Sequence, residues 1–464
     1  MRKRLPPQCL QAWRNPPIHL CSSIEPSTFP LNSLLKNTWK PAWAIRIEFS
    51  DNDDLMNVIF ITYNGLTSHI GRAQVFPYLS ALSRCGHTIH IISCEPHDIP
   101  EHEMSDAREA VAQAGLHWHP LHYSSLPGPL SKIMDSISLS NAVRELAKSV
   151  SDIDIVHCRS YVPADAALFL KHKYGAKFIF DMRGLWPDQR AEGNRWPQTS
   201  LLYRLLYRWW KRKEGNYIRQ SDAIISLTDA CKSEIKTWGS YNGCSIPVIP
   251  CSVDIDEFDV VCVEQRTETR RELNIAPQTP VFTYLGSLGS VYLLDDMIRS
   301  FAQIKKRLTN AVFLLVGHSA DDFIDRSREL GITFAAADVI SRRVTRSEVP
   351  ALLNAADVGF CFIKSSYSSI GVSPTKLGEY LACGLPVICN SGVGDVKEIV
   401  DATHSGVVLE GELETATIDR LEEIVGLLTL NRNEIRARSI PGLDLGIAVE
   451  SYDALYRSFA LVAR

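Results

Sequence analysis

Along most of the chain, short apolar runs alternate with segments of helical length. From Met56 onward, VIFIT (58–62), HTIHIIS (87–93), IDIVHC (153–158), KFIFD (177–181), AIISLT (223–228) and PVIP (247–250) are rich in β-branched and aromatic residues. Several are apolar throughout, which suits strands buried on both faces, and the spacers between them predict a parallel α/β sheet. A polar, charged stretch at about 251–275 interrupts the rhythm. It restarts with VFTYLG (281–286), AVFLLVG (311–317), DVGFCFI (357–363), PVICN (386–390) and GVVL (406–409). The simplest α/β architecture is two tandem Rossmann-like domains, 56–255 and 256–445, with parallel sheets facing a central cleft at their strand C-terminal ends. A terminal helix is expected over 446–464.

Residues 1–55 do not share this pattern. Prolines at 6, 7, 16, 17, 26, 30 and 41 break any sustained period, and the basic MRKR is followed by no apolar core. An irregular, disordered extension is expected there rather than a secretory signal, with a targeting or docking arm as the alternative.

Composition narrows the function classes. At 464 residues the chain exceeds one ordinary core. With 49 Lys and Arg against 53 Asp and Glu the net charge is −4, so no global electrostatic case for nucleic-acid binding exists. Twelve scattered cysteines without C-x-x-C spacing fit a reduced, cytoplasmic setting. No apolar run approaches the roughly 20 residues of a membrane span.

The densest chemistry lies in Ser369–Val400 (SIGVSPTKLGEYLACGLPVICNSGVGDVKEIV). A helix is predicted to start at Pro374 with Ser373 as N-cap and to end at Gly384. Backbone N–H groups and the positive helix end then converge at Ser373, Pro374, Thr375 and Lys376, where an anion fits. Glu379, one turn on, adds a carboxylate suited to a pair of hydroxyls.

Other strand-to-helix turns carry weaker signals. YNGLTSHIGRAQVFPYL (63–79) brings Gly71 and Arg72 after the first strand, which reads equally as turn geometry or as a site. LGSLGSVYLLDDM (285–297) opens the backbone at Gly286 and Ser287. HCRSYVPADAA (157–167) offers Arg159 to the cleft, while His157 is expected as a core imidazole. In FIFDMRGLWPDQRAEG (178–193), Asp181 and Arg183 form either a structural pair or a reacting-centre pair. The helix 201–220 carries Arg204, Arg208, Lys211 and Arg212 on one stripe and Leu202, Leu205, Leu206 and Trp209 on another. The apolar stripe is expected to pack on the sheet, with peripheral membrane contact through 201–213 as the alternative. Asp152-x-Asp154 and Asp254-x-Asp256 match a metal-binding pair only superficially, and no metal is expected.

SPTKLGEYLACGLPVI followed by GVGD resembles the donor-binding segment of the bacterial family 4 glycosyltransferases, and PCSVD resembles the turn between the two domains of that family. The resemblance covers most of Met56–Gly411 and implies the GT-B fold, with the C-terminal helix packing back on the first domain. It further implies a retaining enzyme that takes sugar from a nucleotide diphosphate-sugar, a substrate rather than a cofactor. The acceptor would be a glycan, lipid-linked or small-molecule acceptor, at the inner face of the membrane or in the cytoplasm. By the resemblance Glu379 is the second glutamate of E-x7-E and binds ribose, while Gly371 stands where the first glutamate would be. Gly71, Arg72, Gly286, Ser287, Gly371 and residues 373–376 would line the donor site. Asp181, Arg183 and Lys376 are the expected catalytic residues, with Arg343 as a further cation. Two departures accompany these: the family's histidine after the strand ending at Asp181 is absent, and Ser287 with SVYLL replaces a G-R…K-G arrangement. The alternatives are a nucleotide-sugar epimerase on the same architecture and a nucleotide-sugar-binding subunit of a glycan assembly complex.

Overall fold

The computed structural model describes residues 55–124, 129–289 and 291–463. The extension expected over 1–55 lies outside the described residues but for Leu55.

The first sheet contains β1 (Asn57–Thr62), β2 (Thr88–Glu95), β3 (His117–His122), β4 (Ile155–Arg159), β5 (Lys177–Asp181) and β6 (Ala223–Ile225), all parallel, in the order β3-β2-β1-β4-β5-β6. The second contains β7 (Val281–Leu285), β8 (Val312–Val316), β9 (Val339–Arg342), β10 (Val358–Cys361), β11 (Val387–Asn390) and β12 (Gly406–Leu409), in the order β12-β11-β10-β7-β8-β9. Each order reverses direction beside its first strand, which opens a crevice at the strand C-terminal ends.

The apolar runs become strands because both faces are buried. Ile59, Ile61, Val156 and Phe178 enter one core of the first sheet, and their neighbours Val58, Phe60, Ile155 and Ile179 enter the other. In the second sheet Leu314 and Val316 face one core while Phe313 and Leu315 face the opposite one.

Three features of the elements depart from the sequence pattern. β3 (HWHPLH) and β9 (VISR) are edge strands, and their half-exposed, polar-bearing sequences carry no apolar run to announce them. PVIP forms only a single bridge, between Ser226 and Val248, because Pro247 and Pro250 cannot donate to a ladder.

The helix Leu201–Gln220 is the third. Its packed face is Trp210, Glu214, Tyr217 and Ile218. The stripe expected against the sheet is largely in solvent, with Leu202 65% and Leu205 56% exposed. A buried carboxylate decides the rotation: Glu214 accepts from Tyr161 Oη at 2.7 Å and pairs with Lys211, so the helix turns this polar group inward.

The chain crosses between the sheets at PCSVD. Val253 N–H donates to the Leu443 carbonyl at 2.8 Å and Leu445 N–H to the Val253 carbonyl at 3.1 Å. The helix Leu445–Ala463 then lies on the first sheet, burying Leu445, Ala448, Val449, Tyr452, Leu455 and Tyr456 in its core at i, i+3, i+4 spacing. His87 bonds Asp453 at 2.8 Å, which fixes the helix laterally.

Candidate active site

The helix predicted from Pro374 runs Thr375–Ala382. Pro374, extended at ψ 115°, occupies the cap position, and Ser373 does not cap the helix. Its Oγ instead accepts from the Cys251 N–H at 3.1 Å, tying the start of this helix to the crossover strand. The reason is Pro374: its fixed ring holds the chain extended ahead of Thr375, so the hydroxyl points away from the first turn.

Lys376 points back under the second sheet. Its Nζ donates to Tyr284 Oη at 2.9 Å and lies 4.0 Å and 3.8 Å from the ring centroids of Tyr284 and Tyr292. Burial lowers its pKa to about 8, against the opposite pull of Cys361 and Glu379. Gly286 sits directly over it: at φ +106° a side chain would be strained, and a Cβ there would lie 3.7 Å from Lys376 Nζ. The Ser287 carbonyl accepts from Tyr284 Oη at 2.7 Å, so the 286–287 turn, Tyr284 and Lys376 form one connected unit.

Glu379, on the same helix, accepts from Arg346 Nη1 at 2.9 Å, and Arg346 also reaches Glu257 at 3.2 Å. Burial raises the pKa of Glu379, with Arg346 opposing the shift. Arg346 was not foreseen: it opens a single 3-10 turn, Arg346–Glu348, after an unforeseen edge strand, in a polar stretch where it resembles Arg343. Arg343 itself is exposed.

Gly371 lies not in open cleft but against the first domain. A Cβ on it would meet Gly184 Cα at 3.0 Å and Leu185 N at 3.3 Å. Thr228 Oγ1 donates to the Ile370 carbonyl at 2.5 Å, and the Asp395 carboxylate accepts from the N–H groups of Asp229 and Ala230 at 2.6 Å and 3.0 Å. The two domains thus close on each other along this turn, and a glutamate side chain has no room where Gly371 stands.

From the first domain, the loop after β1 faces this helix. Gly71 is required by packing, since a Cβ would fall 2.0 Å from the Gly65 carbonyl, and its N–H is bound by Ser68 Oγ at 3.1 Å. Arg72 pairs with Glu103. Desolvation, then Arg346 of the second domain and Arg72 of its own helix, depress the pKa of His69.

Asp181 and Arg183 lie deeper. Asp181 is buried, 3.7 Å from His157 Nε2 and 3.9 Å from Arg183 Nη1, and its Oδ1 has no hydrogen-bond partner among the described residues. Burial opposes its charge, but Arg183, His157 and Arg159 outweigh burial and hold its pKa down. Burial likewise opposes the charge on Arg183, and Asp181 outweighs it and holds the guanidinium charged. Arg183 adopts φ +53°, a left-handed backbone that aims its side chain at Cys251 Sγ, 3.3 Å away. His157 is a buried core imidazole, as its strand predicts, yet it contributes to the site: Nδ1 meets Tyr456 Oη at 2.6 Å, so the terminal helix reaches Asp181 through it. Arg159 donates to Asn64 Oδ1 at 2.9 Å. The acid pairs Asp154 and Asp254 are structural, accepting from Asn57 N–H at 2.8 Å and Asp256 N–H at 3.0 Å.

These loops stand at the strand C-terminal ends of the two parallel sheets. The profile of Glycosyltransferase Family 4 matches residues 75–257, and that of Glycosyl transferases group 1 matches 265–435. The chain belongs to the family 4 type of glycosyltransferases. Similar curated family members include a D-inositol 3-phosphate glycosyltransferase of Actinosynnema mirum, 24% identical over 46% of this chain and 51% of that protein. Another is a GDP-mannose-dependent monoacylated alpha-(1-6)-phosphatidylinositol monomannoside mannosyltransferase of Corynebacterium glutamicum, 25% identical over 38% and 45%. The chain spans about half the length of the curated relatives it matches. Among solved structures, WaaG, a glycosyltransferase involved in lipopolysaccharide biosynthesis, superimposes with a TM-score of 0.63 at 17% identity, over 86% of this chain and 99% of WaaG. Anabaena HepE in complex with UDP and glucose gives 0.63 at 14%, over 87% and 100%. These likenesses establish the GT-B fold. Among the described residues no helix is long and apolar enough to cross a membrane.

Proposed function

We propose that the protein is a retaining glycosyltransferase that moves a sugar from a nucleotide diphosphate-sugar to a glycan, lipid-linked or small-molecule acceptor. One observation carries the reading. Lys376 and Glu379 stand one turn apart on a single helix, Lys376 under the Gly286–Ser287 turn and Glu379 locked to Arg346, whose charge is felt by His69 of the other domain. A cation beneath a glycine turn suits a diphosphate, and an oriented carboxylate beside it suits ribose hydroxyls.

In this reading the second domain holds the donor, through Gly286, Ser287, Ser373, Pro374, Thr375, Lys376 and Glu379, and the first holds the acceptor. The departing diphosphate develops negative charge, which Lys376 and Arg346 stabilise. Attack from the face the diphosphate leaves lets its own oxygen take the acceptor proton, so no side-chain base is required and positioning supplies most of the rate. Asp181 and Arg183 act by orienting groups at the reacting centre. With Gly371 packed against Gly184 and Leu185, that position offers the sugar no side chain. No metal or resident cofactor enters this scheme, and the exposed leucines of the helix 201–220 are read as a peripheral membrane contact.

The test is a thermal-shift screen against UDP-, GDP-, ADP- and CMP-sugars, followed by transfer from the stabilising donor. Specific stabilisation by one nucleotide-sugar is expected, because a ligand that binds only the folded state raises the melting temperature. No stabilisation by any of the four would overturn the reading. Binding with sugar interconversion in the absence of acceptor would replace it by epimerisation.

A further inference from the structure

A cavity of about 310 Å³ lies in the first domain, apart from Lys376 and Glu379, between the helices Pro129–Leu146, Trp186–Glu192 and Leu201–Gln220. Its walls are aromatic, with Trp186, Trp196 and Trp210, and three cations face it: Lys132, Arg190 and Arg195. The neighbouring carboxylates are committed elsewhere. Asp188 pairs with Lys211 at 2.9 Å, Glu192 accepts from the Ser368 N–H at 3.0 Å, and Asp135 accepts from Tyr63 Oη at 2.5 Å. Arg190 rests on the Trp186 ring at 5.3 Å, and among the described residues neither it nor Arg195 makes an ion pair. Lys132 lies 4.4 Å from the Tyr63 ring centroid and donates to its hydroxyl. After desolvation, the main influence lowering the pKa of Arg190 is Arg195, so the two guanidinium groups repel each other across the cavity.

Arg190 and Arg195, which repel each other, and Lys132, whose charge Asp135 supports and Arg190 opposes, are set among indole rings and complement an anion with an apolar body. The mouth supplies the apolar part. Ile133 lines the cavity and is 41% exposed, and further exposed apolar side chains stand on the two helices that line it, Ile137 on one and Leu202, Leu205 and Trp209 on the other. A patch of this kind is not expected to be left to water. The cavity also borders the cleft: Tyr63 follows β1 and Trp186 follows β5, the strand that ends at Asp181.

We propose that this cavity is a second anion site that takes the phosphate of a membrane lipid, held by Arg190, Arg195 and Lys132, while Leu202, Leu205, Trp209 and Ile137 enter the bilayer interface. Combined with the transfer reading above, on which this last step rests, the phosphate-bearing lipid is the acceptor's carrier, and its headgroup is presented to the cleft from the β1 and β5 side.

The test is flotation of the full chain with phosphatidylcholine vesicles, plain or containing phosphatidic acid, and with charge-matched vesicles containing phosphatidylserine. Binding is expected to be strongest with phosphatidic acid. Arg190→Gln with Arg195→Gln should weaken it roughly tenfold or more, and Leu202→Ser with Leu205→Ser should weaken it comparably. Arg190→Lys with Arg195→Lys should retain most of the binding. Nucleotide-sugar thermal shifts should be unchanged in all of these variants, so loss of lipid binding is read separately from failure of the donor site. Equal binding to plain vesicles, equal binding to phosphatidylserine, or wild-type binding by the Gln variant would each overturn the proposal. Displacement from the vesicles by glycerol 3-phosphate alone would also overturn it, marking a site for a free phosphate ester.

Discussion

Lys376 and Arg190 are both cations stacked on aromatic rings, one in each domain, and their surroundings differ in kind. Lys376 is buried, hydrogen-bonded to Tyr284 and one turn from a carboxylate that Arg346 already holds. Arg190 has a ring beneath it, another arginine beside it and, among the described residues, no ion pair. The second-domain set is therefore preorganised: its groups are fixed before a ligand arrives, so binding costs little side-chain ordering. In the first-domain set the charges are brought together but not compensated, and a ligand has to supply the missing anion.

The sharpest way to break the comparison is to remove the preorganised pair. Lys376→Ala and Glu379→Ala should each lower kcat/KM by roughly 10²–10³ with the fold retained by circular dichroism, as for loss of a fixed electrostatic group. Wild-type rates in both would remove the site assignment. A second effect follows from the Lys376 pKa of about 8. The ammonium is charged below that value and neutral above it, so kcat/KM should fall as pH rises through about 8, approaching a limit of about tenfold per unit. Lys376→Arg, which stays charged, should remove that alkaline limb, and an unchanged profile would exclude Lys376 as its source. The sign for stability is the reverse: because the folded pKa lies below the unfolded value of 10.5, stability contributed by this group rises between about 8 and 10.5.

Gly371→Glu asks whether the second-domain set has room for one more member. With Gly184 Cα 3.0 Å from the added Cβ, we expect a loss of about 1–3 kcal/mol in denaturant unfolding and no gain in transfer. Higher activity would mean that the domains part there. Tyr456→Phe should cost about 1 kcal/mol by removing the bond to His157, and an unchanged midpoint would show that the bond contributes nothing net. The smallest effect is expected from Leu202→Ser with Leu205→Ser, within about 0.5 kcal/mol in stability. A larger loss would mean that these side chains pack against protein after all.

Legibility in the sequence differs between the same two regions. In the second domain, Pro374, Lys376, Glu379 and the Gly384 stop are local signals on one short helix, and the sequence pattern places them together with no knowledge of the rest of the chain. Arg346, Tyr284 and Tyr292, which decide the charge state and orientation of Lys376 and Glu379, come from elements up to 92 residues away and leave no local trace. In the first domain Asp181 and Arg183 are visible at a strand end, whereas the bond from Tyr456 to His157 joins positions 299 residues apart. Arg190 and Arg195 carry no local signal in the sequence, and only the fold sets them side by side at a cavity with no ion pair among the described residues.

The sequence by itself determined the two parallel sheets and their central strands, because burial on both faces demands continuous apolar runs that periodicity exposes. It also determined the chemistry carried on the helix 375–382, because residues one turn apart share a face in any helix. Only the tertiary structure decided the edge strands, the rotation of the helix 201–220, the closure at Gly371 and the partners of each charge. Those depend on which distant groups desolvate and compensate one another, and neither a hydropathy pattern nor a motif encodes that pairing.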